Sequence, residues 1–307
     1  LDKMMEVMTI MTTGKIPFGP ISVDLDKIMT YNNYEGFRLG AGAHTNNRLA
    51  NWTSFGGYFA YGFKDKDWKY GGDISFHLSR KHEIDLNFSY QKDVVESGET
   101  KFIDDKLPLM SNENYYKLFI ERMDEIRKYE AQFSFRSLRY LKTHLFVNAQ
   151  RRKANYEYNF VKKTDNSAIQ LLENTHYITE FGANFRYAFK ETFYFDGLDK
   201  ISFGTKYPIL QGKISVGFDS EYGNTEYMKY DFKLTKSAFW GEIGTTQVKI
   251  GAGMVDGDIP YTLLYNSPGF FKQFTISTLN SFETMRLNEF LSDKYANLFL
   301  NHKFDFR

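Results

Sequence analysis

The residues of this chain that could carry out hydrolysis lie close together between positions 75 and 85. His77 and His82 flank a predicted turn, Asp85 follows it, and Ser75 and Ser79 share a predicted strand with His77. A serine, a histidine and a carboxylate in register would act as nucleophile, general base and orienting group. Polar residues beside a turn give the same spacing and are the favoured interpretation. We therefore predict no catalytic residues and no enzyme.

Metal and cofactor chemistry has little support in the sequence. Cysteine is absent, so thiolate ligands and thiol nucleophiles are excluded. No His-Glu-x-x-His or calcium-loop pattern occurs. The nearest match is Asp256-Gly257-Asp258, for which a turn at a strand end is the favoured interpretation. We predict no metal site and no cofactor.

One basic run could hold phosphate. Arg151, Arg152 and Lys153 are consecutive, and guanidinium and ammonium groups bind phosphate oxygens well. We hypothesise that the three contact lipopolysaccharide near an outer rim. The competing interpretation is an ordinary hairpin end outside the membrane.

The elements that would position these side chains are strands of period two. From His82 to Tyr90 apolar and polar residues alternate. The apolar face holds Ile84, Leu86, Phe88 and Tyr90, and the polar face holds Glu83, Asp85, Asn87 and Ser89. One wholly apolar, aromatic face repeated in segment after segment is what a membrane β-barrel requires.

About ten to twelve such segments follow one another, joined by short polar turns and some longer loops. Short turns make neighbouring strands antiparallel, because a parallel pair needs a crossover of a dozen or more residues. The fold prediction is an all-β antiparallel meander forming a transmembrane, outer-membrane type β-barrel. The chain stops at a strand end, so we expect a fragment of a larger barrel whose closing strands are missing.

Composition agrees with a barrel and excludes other classes. Aromatic residues make up 18% of the 307 positions, more than a globular core needs, and barrels use them at both membrane interfaces. The mean hydropathy is −0.48, and no apolar run approaches the roughly 20 residues of a spanning helix. The net charge of +1 gives no basic field for nucleic acid.

The predicted organisation has two parts. Residues 1–30 form a short helical or irregular lead-in segment. Residues 31–307 form the barrel, with long loops near 93–127, 161–175 and 256–293.

The alternation also predicts which way each side chain points. Lipid-facing residues are predicted to be Ile84, Leu86, Phe88, Tyr90, Phe133, Phe135, Phe181, Phe185, Tyr187, Tyr230 and Phe232. Lumen-facing residues are predicted to be Arg38, Asp85, Asn87, Arg136, Arg186, Lys229 and Asp231. Charges of both signs inside indicate a salt-bridged, partly filled interior more than a selective pore.

Four segments resemble a Bacteroidota outer-membrane family of uncharacterised function. They are Tyr31-Asn32-Asn33-Tyr34-Glu35-Gly36-Phe37-Arg38-Leu39-Gly40, Gly57-Tyr58-Phe59-Ala60-Tyr61-Gly62-Phe63-Lys64-Asp65-Lys66, Ile259-Pro260-Tyr261-Thr262-Leu263-Leu264 and Asn288-Glu289-Phe290-Leu291-Ser292-Asp293-Lys294-Tyr295-Ala296. That family usually carries an N-terminal carboxypeptidase-D regulatory-like domain, and its barrel is distantly similar to the outer-membrane insertase and surface-antigen superfamily. Of the insertases' Arg-Gly loop motif, this chain has only the fragment Gly217-Phe218-Asp219.

The resemblance implies an integral outer-membrane barrel of a diderm bacterium. The functions we expect are non-enzymatic: envelope biogenesis, surface-protein assembly or transport. The expected partners are outer-membrane lipids, lipopolysaccharide and the proteins of an assembly or transport complex, without nucleic acid. The alternatives are a passive porin or surface scaffold, then a barrel hydrolase or a soluble β-sandwich binding module.

Overall fold

The regular secondary structure of the described residues consists mainly of strands, with almost no helix. A computed structural model describes residues 10, 13–103, 117–154, 160–163, 169–172, 174–196, 199–220, 223, 225–266, 269, 280–282, 284–286 and 288–304. The strands of the first half are β1 (Lys15–Phe18), β2 (Ile21–Asp24), β3 (Met29–Asn32), β4 (Gly36–Thr45), β5 (Thr53–Gly62), β6 (Trp68–Ser79), β7 (Ile84–Glu96), β8 (Met123–Ser137) and β9 (Leu141–Lys153).

The second half continues in the same way. Its strands are β10 (Phe160–Lys163), β11 (Ile169–Leu172), β12 (Thr175–Ala188), β13 (Phe193–Asp196), β14 (Asp199–Ser202), β15 (Ile209–Gly217), β16 (Tyr227–Phe239), β17 (Thr245–Asp256), β18 (Tyr265–Asn266), β19 (Leu291–Ser292) and β20 (Lys294–Lys303). Short 3₁₀ helices lie at Leu25–Lys27, Gly241–Ile243 and Tyr261–Leu263.

One 14-stranded sheet dominates the fold, and its pairings are antiparallel. The order is β1-β2-β4-β5-β6-β7-β8-β9-β12-β15-β16-β17-β20, and β3 also pairs with β4. The prediction of an all-β antiparallel meander is confirmed. Within the described residues, the edge formed by β1 and β3 is not paired with β20 at the opposite edge.

Residues 15–18 and 21–24 form strands where a helical or irregular lead-in is predicted for residues 1–30, and residues 1–9, 11 and 12 of that segment lie outside the described residues. β1 and β2 form a hairpin around Gly19, whose φ of +59° suits a tight turn. β2 and β3 then pair with the two ends of β4, at Ala43–Thr45 and Gly36–Leu39. These strands are four residues long, too short for an alternation to be recognised.

The register carries the alternation across the sheet, because paired residues point to the same face. One row of paired positions runs through Phe55, Ile74, Phe88, Ala131, Val147, Phe181, Val216 and Met228. The adjacent row, on the other face, runs through Ser54, Ser75, Asn87, Gln132, Phe146, Gly182, Ser215 and Lys229. We call the face of the first row the outer face and the other the inner face.

The sheet curves around its inner face. A flat sheet would hold β4 and β7, three strands apart, about 14 Å from each other. Arg38 of β4 nevertheless bonds to Asp93 of β7, with an Nη1–Oδ1 distance of 2.7 Å. Tyr261, after β17, reaches Asp124 of β8 across the concave side, with an OH–Oδ1 distance of 3.3 Å.

The two rims of the sheet differ in their connections. The long-loop rim is where the chain leaves β7 for β8, β9 for β12 and β17 for β20, and long loops are predicted near 93–127, 161–175 and 256–293. The short-turn rim carries the tight connections 80–83, 138–140 and 240–244, and one longer connection that holds the β13–β14 hairpin. Among the helices in the described part of the chain, none is long and apolar enough to cross a membrane.

Candidate functional site: the polar interior

The inner face is where polar and ionisable side chains converge. The structure places the eleven residues predicted to face lipid together on the outer face: Ile84, Leu86, Phe88, Tyr90, Phe133, Phe135, Phe181, Phe185, Tyr187, Tyr230 and Phe232. Several of them are exposed, for example Phe88 at 44% and Phe181 at 54%. The seven residues predicted to face the lumen share the inner face: Arg38, Asp85, Asn87, Arg136, Arg186, Lys229 and Asp231.

Arg38 lies in an ion pair that joins strands three positions apart. Its guanidinium donates from Nη1 to Asp93 Oδ1 at 2.7 Å and from Nη2 to Asp93 Oδ2 at 3.0 Å. The Tyr58 hydroxyl donates to the same carboxylate at 2.5 Å. Such a two-bond fork is geometrically specific, so it fixes the curvature of β4 to β7.

A second ionic group continues this pair towards the long-loop rim. The Glu35 carboxylate accepts a hydrogen bond from Asn32 Nδ2, and the Glu35 backbone N–H donates one to Asn32 Oδ1. Glu35 Oε1 lies 3.2 Å from the Lys69 ammonium. Lys69 also bonds to Asp65, and its side chain is only 1% exposed. Burial, with Asp65 and other carboxylates nearby, raises the pKa of Tyr34 to about 12. Charges this deeply buried are tolerated because each one is paired.

The short-turn rim holds a different ionic cluster, which we call the clamp: Glu83, Arg136, Arg186, Glu191 and Lys200. Arg186 makes two hydrogen bonds to the Glu191 carboxylate, at 2.9 and 2.6 Å, and the Glu191 side chain is 0% exposed. Arg136 donates to Glu83 at 2.7 Å, and its Nη1 lies 3.9 Å from Glu191.

The β13–β14 hairpin closes the clamp. Lys200 of β14 donates to Glu83 at 2.5 Å, and Ser202 donates to Glu191 at 2.5 Å. Arg136 and Lys200 also lie over the ring of Phe193, 5.1 and 4.0 Å from its centroid. Burial acts to raise the pKa of Glu83, but hydrogen bonds from Arg136 and Lys200 hold it below its ordinary value.

A loop segment after β7 lies against the inner face of the opposite wall. Gln211 of β15 donates to the Ile103 carbonyl at 2.7 Å, and Ile103 is 2% exposed. Asn184 of β12 approaches the Lys101 carbonyl at 3.4 Å, and Thr100 approaches Asp231 of β16 at 3.4 Å. Residues 97–103 therefore fill part of the concave space.

A second segment, residues 259–266, packs beside the first, and the Gly98 amide donates to the Thr262 carbonyl at 3.2 Å. Lys229 of β16 reaches the Leu263 carbonyl at 3.5 Å and the Tyr265 ring at 4.4 Å. An apolar cluster joins this segment to the wall, formed by Ile178, Tyr227, Val255, Leu263 and Tyr265. We call the two segments together the plug.

The residues considered for hydrolysis are partly brought together. His77 Nδ1 lies 2.7 Å from Asp85 Oδ1, and His77 Nε2 lies 3.4 Å from the hydroxyl of Ser54, which the sequence did not single out. Ser75 instead accepts a hydrogen bond from Asn87 at 2.8 Å. The order of groups is that of a triad, although 3.4 Å exceeds the usual separation of nucleophile and base.

The basic run is divided between the two faces. Arg152 points inward, is 7% exposed and donates to Asp124 at 2.7 Å, so it is unavailable to a ligand outside the sheet. Arg151 and Lys153 point outward, because neighbouring residues of a strand alternate in direction. The predicted three-residue contact is therefore corrected to two residues.

Within the described residues, no group of three or more His, Asp or Glu side chains is placed to hold a metal ion. His44 shows how such groups are used here: its Nδ1 lies 2.7 Å from Asp24 and its Nε2 lies 2.9 Å from Asp73, which ties β2 to β6.

The plug and the clamp hairpin were missed by the sequence analysis. Residues 97–103 and 259–266 were assigned to loops without a direction, because periodicity carries no information about where a loop packs. One signal was present in the run Ile259-Pro260-Tyr261-Thr262-Leu263-Leu264, whose apolar residues are unusual in an exposed loop.

The fold and its interior define a class: a curved antiparallel sheet of barrel type, apolar outside and filled with paired polar groups inside. The chain belongs to the family of unknown function DUF5686, whose C-terminal domain matches residues 18–306. Among curated proteins, none matches the sequence.

The sheet is also similar to a solved structure, BamA from Haemophilus ducreyi lacking POTRA domains 1–3. The TM-score is 0.52 at 10% sequence identity, and the match covers 83% of this chain and 45% of that chain. At this identity the likeness concerns the fold alone, and the chain spans less than half of that structure.

Proposed function

We propose that this protein is a non-enzymatic, integral outer-membrane β-barrel of a diderm bacterium of the Bacteroidota, acting in envelope biogenesis, surface-protein assembly or transport. The likeness of its sheet to BamA supports this proposal. So does its resemblance to outer-membrane families with an insertase-like barrel.

The single observation that carries the proposal is the contrast between the faces. The outer face leaves large apolar side chains uncovered in strand after strand, among them Phe59 at 57%, Phe181 at 54% and Leu300 at 70% exposure. Exposed apolar patches of this extent mark a surface that meets lipid or protein. The inner face meanwhile buries Lys69, Asp124 and Glu191 in ion pairs, as a polar barrel interior would.

A pair of neighbouring substitutions tests the orientation. Phe88→Arg places a charge on the outer face, where a charge costs up to about 2–4 kcal/mol at the membrane midplane and less towards the interfaces, so insertion is expected to fall. Asn87→Arg, one position earlier, places the same charge on the inner face and is expected to be tolerated. The measurement is the fraction of protein that reaches the outer membrane and shows heat-modifiable gel migration. Equal effects of the two substitutions would contradict the proposal.

The filled interior favours a biogenesis or scaffold role over a passive porin. The plug and the clamp fill part of the concave space, whereas a porin keeps a water-filled channel. Planar-bilayer recordings of the full-length protein are expected to show no steady porin conductance. Full-length protein extracted from outer membranes is expected to copurify with assembly or secretion factors, and a large steady conductance without such partners would indicate the porin.

A second candidate function is a barrel hydrolase, favoured by the contacts of His77 with Ser54 and Asp85. Ser54 would be the nucleophile and His77 its general base. A serine-reactive fluorophosphonate separates the candidates. Labelling that is lost in Ser54→Ala and kept in Ser75→Ala would support the hydrolase. If the folded protein is not labelled, the hydrolase is excluded.

A further inference from the structure

Three basic residues face each other directly across three neighbouring strands of the outer face. Lys92 of β7 is paired in register with Arg127 of β8, and Arg127 is paired with Arg151 of β9. Lys153 lies on the same face, two residues beyond Arg151 on β9 and nearer the strand end. We call these four residues the basic row. Like charges directly opposite one another in a sheet repel, so the arrangement favours an anionic partner.

The protein neutralises this row only in part. Lys92 Nζ lies 2.7 Å from Asp67, and Arg127 Nε lies 3.6 Å from Glu125. Within the described part of the chain, Arg151 and Lys153 have no ion pair, and Arg151 Nε is buried without a hydrogen-bond acceptor. A donor shut off from water and left unpaired is unfavourable unless an acceptor reaches it.

The position of the basic row indicates which kind of molecule supplies that acceptor. Tyr90 and Tyr129 lie on the same face, each two residues further into the sheet than Lys92 and Arg127. These tyrosines are paired in register, and their ring centroids are 4.7 Å apart. Tyr70 and Tyr177 are the register partners at the two ends of the row. A belt of tyrosines beside basic groups, near the long-loop rim, marks the level where lipid headgroups meet acyl chains.

We propose that the basic row binds the phosphate groups of lipopolysaccharide, with Arg127 and Arg151 forming the centre of the site. Guanidinium forks bind phosphate through two parallel hydrogen bonds, and Lys92 and Lys153 add point charges on either side. The acyl chains of the lipid would then lie along the apolar outer face below the tyrosines. This inference rests on the proposed outer-membrane location, since only there does the outer face meet such a lipid.

The experiment uses full-length protein in detergent, with lipopolysaccharide as the probe and native mass spectrometry as the measurement. Arg127→Gln with Arg151→Gln is expected to weaken binding about tenfold or more, the effect of losing charge-assisted hydrogen bonds. Arg127→Lys with Arg151→Lys keeps both charges and is expected to restore part of the affinity. Lys294→Gln is the matched control, because Lys294 lies on the outer face opposite Met254.

Two further probes identify the source of the phosphate. Enzymatically dephosphorylated lipopolysaccharide is expected to bind the unaltered protein about as weakly as intact lipopolysaccharide binds the double glutamine variant. Inorganic phosphate is expected to compete poorly, because it lacks the acyl chains. Equal loss in Lys294→Gln, undiminished binding in the double variant, or full competition by inorganic phosphate would each overturn the inference.

Heat-modifiable migration of each variant keeps the two proposals separate. Variants that insert normally and still bind lipopolysaccharide would end this inference and leave the membrane proposal intact. If the unaltered protein never entered membranes, both the lipopolysaccharide inference and the membrane proposal would be wrong.

Discussion

The segments at the two ends of the interior are held in place by different physical means. At the long-loop rim the plug brings in backbone carbonyls and an apolar cluster that includes Leu263, which is 6% exposed. At the short-turn rim the clamp brings in charges, with Glu191 fully buried between Arg186 and Arg136. Packing of the plug therefore depends on burial of apolar surface, and packing of the clamp depends on matched ion pairs.

This difference has consequences for how each end fails. Apolar burial scales with the area removed from water and is nearly independent of pH. A buried ion pair contributes little net stability, but removing one partner leaves the other charge uncompensated. The plug is thus expected to weaken gradually with each truncated side chain, whereas the clamp is expected to fail abruptly.

The largest effect is expected from Glu191→Ala, which leaves Arg186 without its two hydrogen bonds. The loss is expected to be about 3–5 kcal/mol, because a buried guanidinium loses its counter-charge. Urea unfolding in detergent provides the measurement. Glu191→Gln also removes the charge but keeps an acceptor oxygen, so it is expected to lose somewhat less. If Glu191→Gln were as stable as the unaltered protein, the charge would not be what holds the clamp.

Leu263→Ala is the corresponding test of the plug. Truncation of this buried side chain is expected to cost about 2–5 kcal/mol, depending on how far its neighbours collapse into the space. Leu49→Ala, at a site 53% exposed, is the control and is expected to have little effect. The same unfolding assay should give a loss for Leu263→Ala that is unchanged between pH 7 and pH 4. A strongly pH-dependent loss would show that the plug also depends on charges.

Gly98→Ala tests the contact between the two segments of the plug. Gly98 has a φ of +78°, and an added Cβ would collide with the Leu264 carbonyl oxygen. Gly204 has a φ of +79° with open space around it, so Gly204→Ala reproduces the backbone strain alone. That strain is expected to cost about 1–3 kcal/mol, and Gly98→Ala should cost more. Equal losses for the two variants in thermal unfolding would mean that the plug segments do not pack closely.

The smallest effect is expected from Glu83→Gln. The pKa of Glu83 is lowered in the folded protein, so its ion pairs stabilise the fold above the ordinary value of 4.5. That contribution, about 1 kcal/mol for a partly exposed pair, is lost as the pH falls through the lowered pKa.

The stability gap between unaltered protein and Glu83→Gln should therefore be present at pH 7 and close below pH 4.5. Glu242→Gln, at an exposed turn on the same rim, should show no such gap. A gap that persisted at pH 3 would show that Glu83 acts by packing and not by charge.

Much of the fold was predictable, since alternation in segments such as Ile84–Tyr90 specifies both the strand and its two faces. The antiparallel order followed from short turns. The hairpin of β1 and β2 was not predictable, because four-residue strands carry too little pattern. Of the candidate site, the inward direction of Arg136 and Arg186 could be predicted, but their shared partner Glu191 could not, since it lies in a connection without periodicity.

The sequence by itself determined which side chains share a face, because the period of a strand is fixed by backbone geometry. Only the tertiary structure decided which side chains and segments contact each other across the interior. It sent residues 97–103 and 259–266 inward, placed Ser54 near His77, and separated Arg152 from Arg151 and Lys153. These outcomes depend on curvature and on register between strands distant in the chain, and no local pattern encodes either.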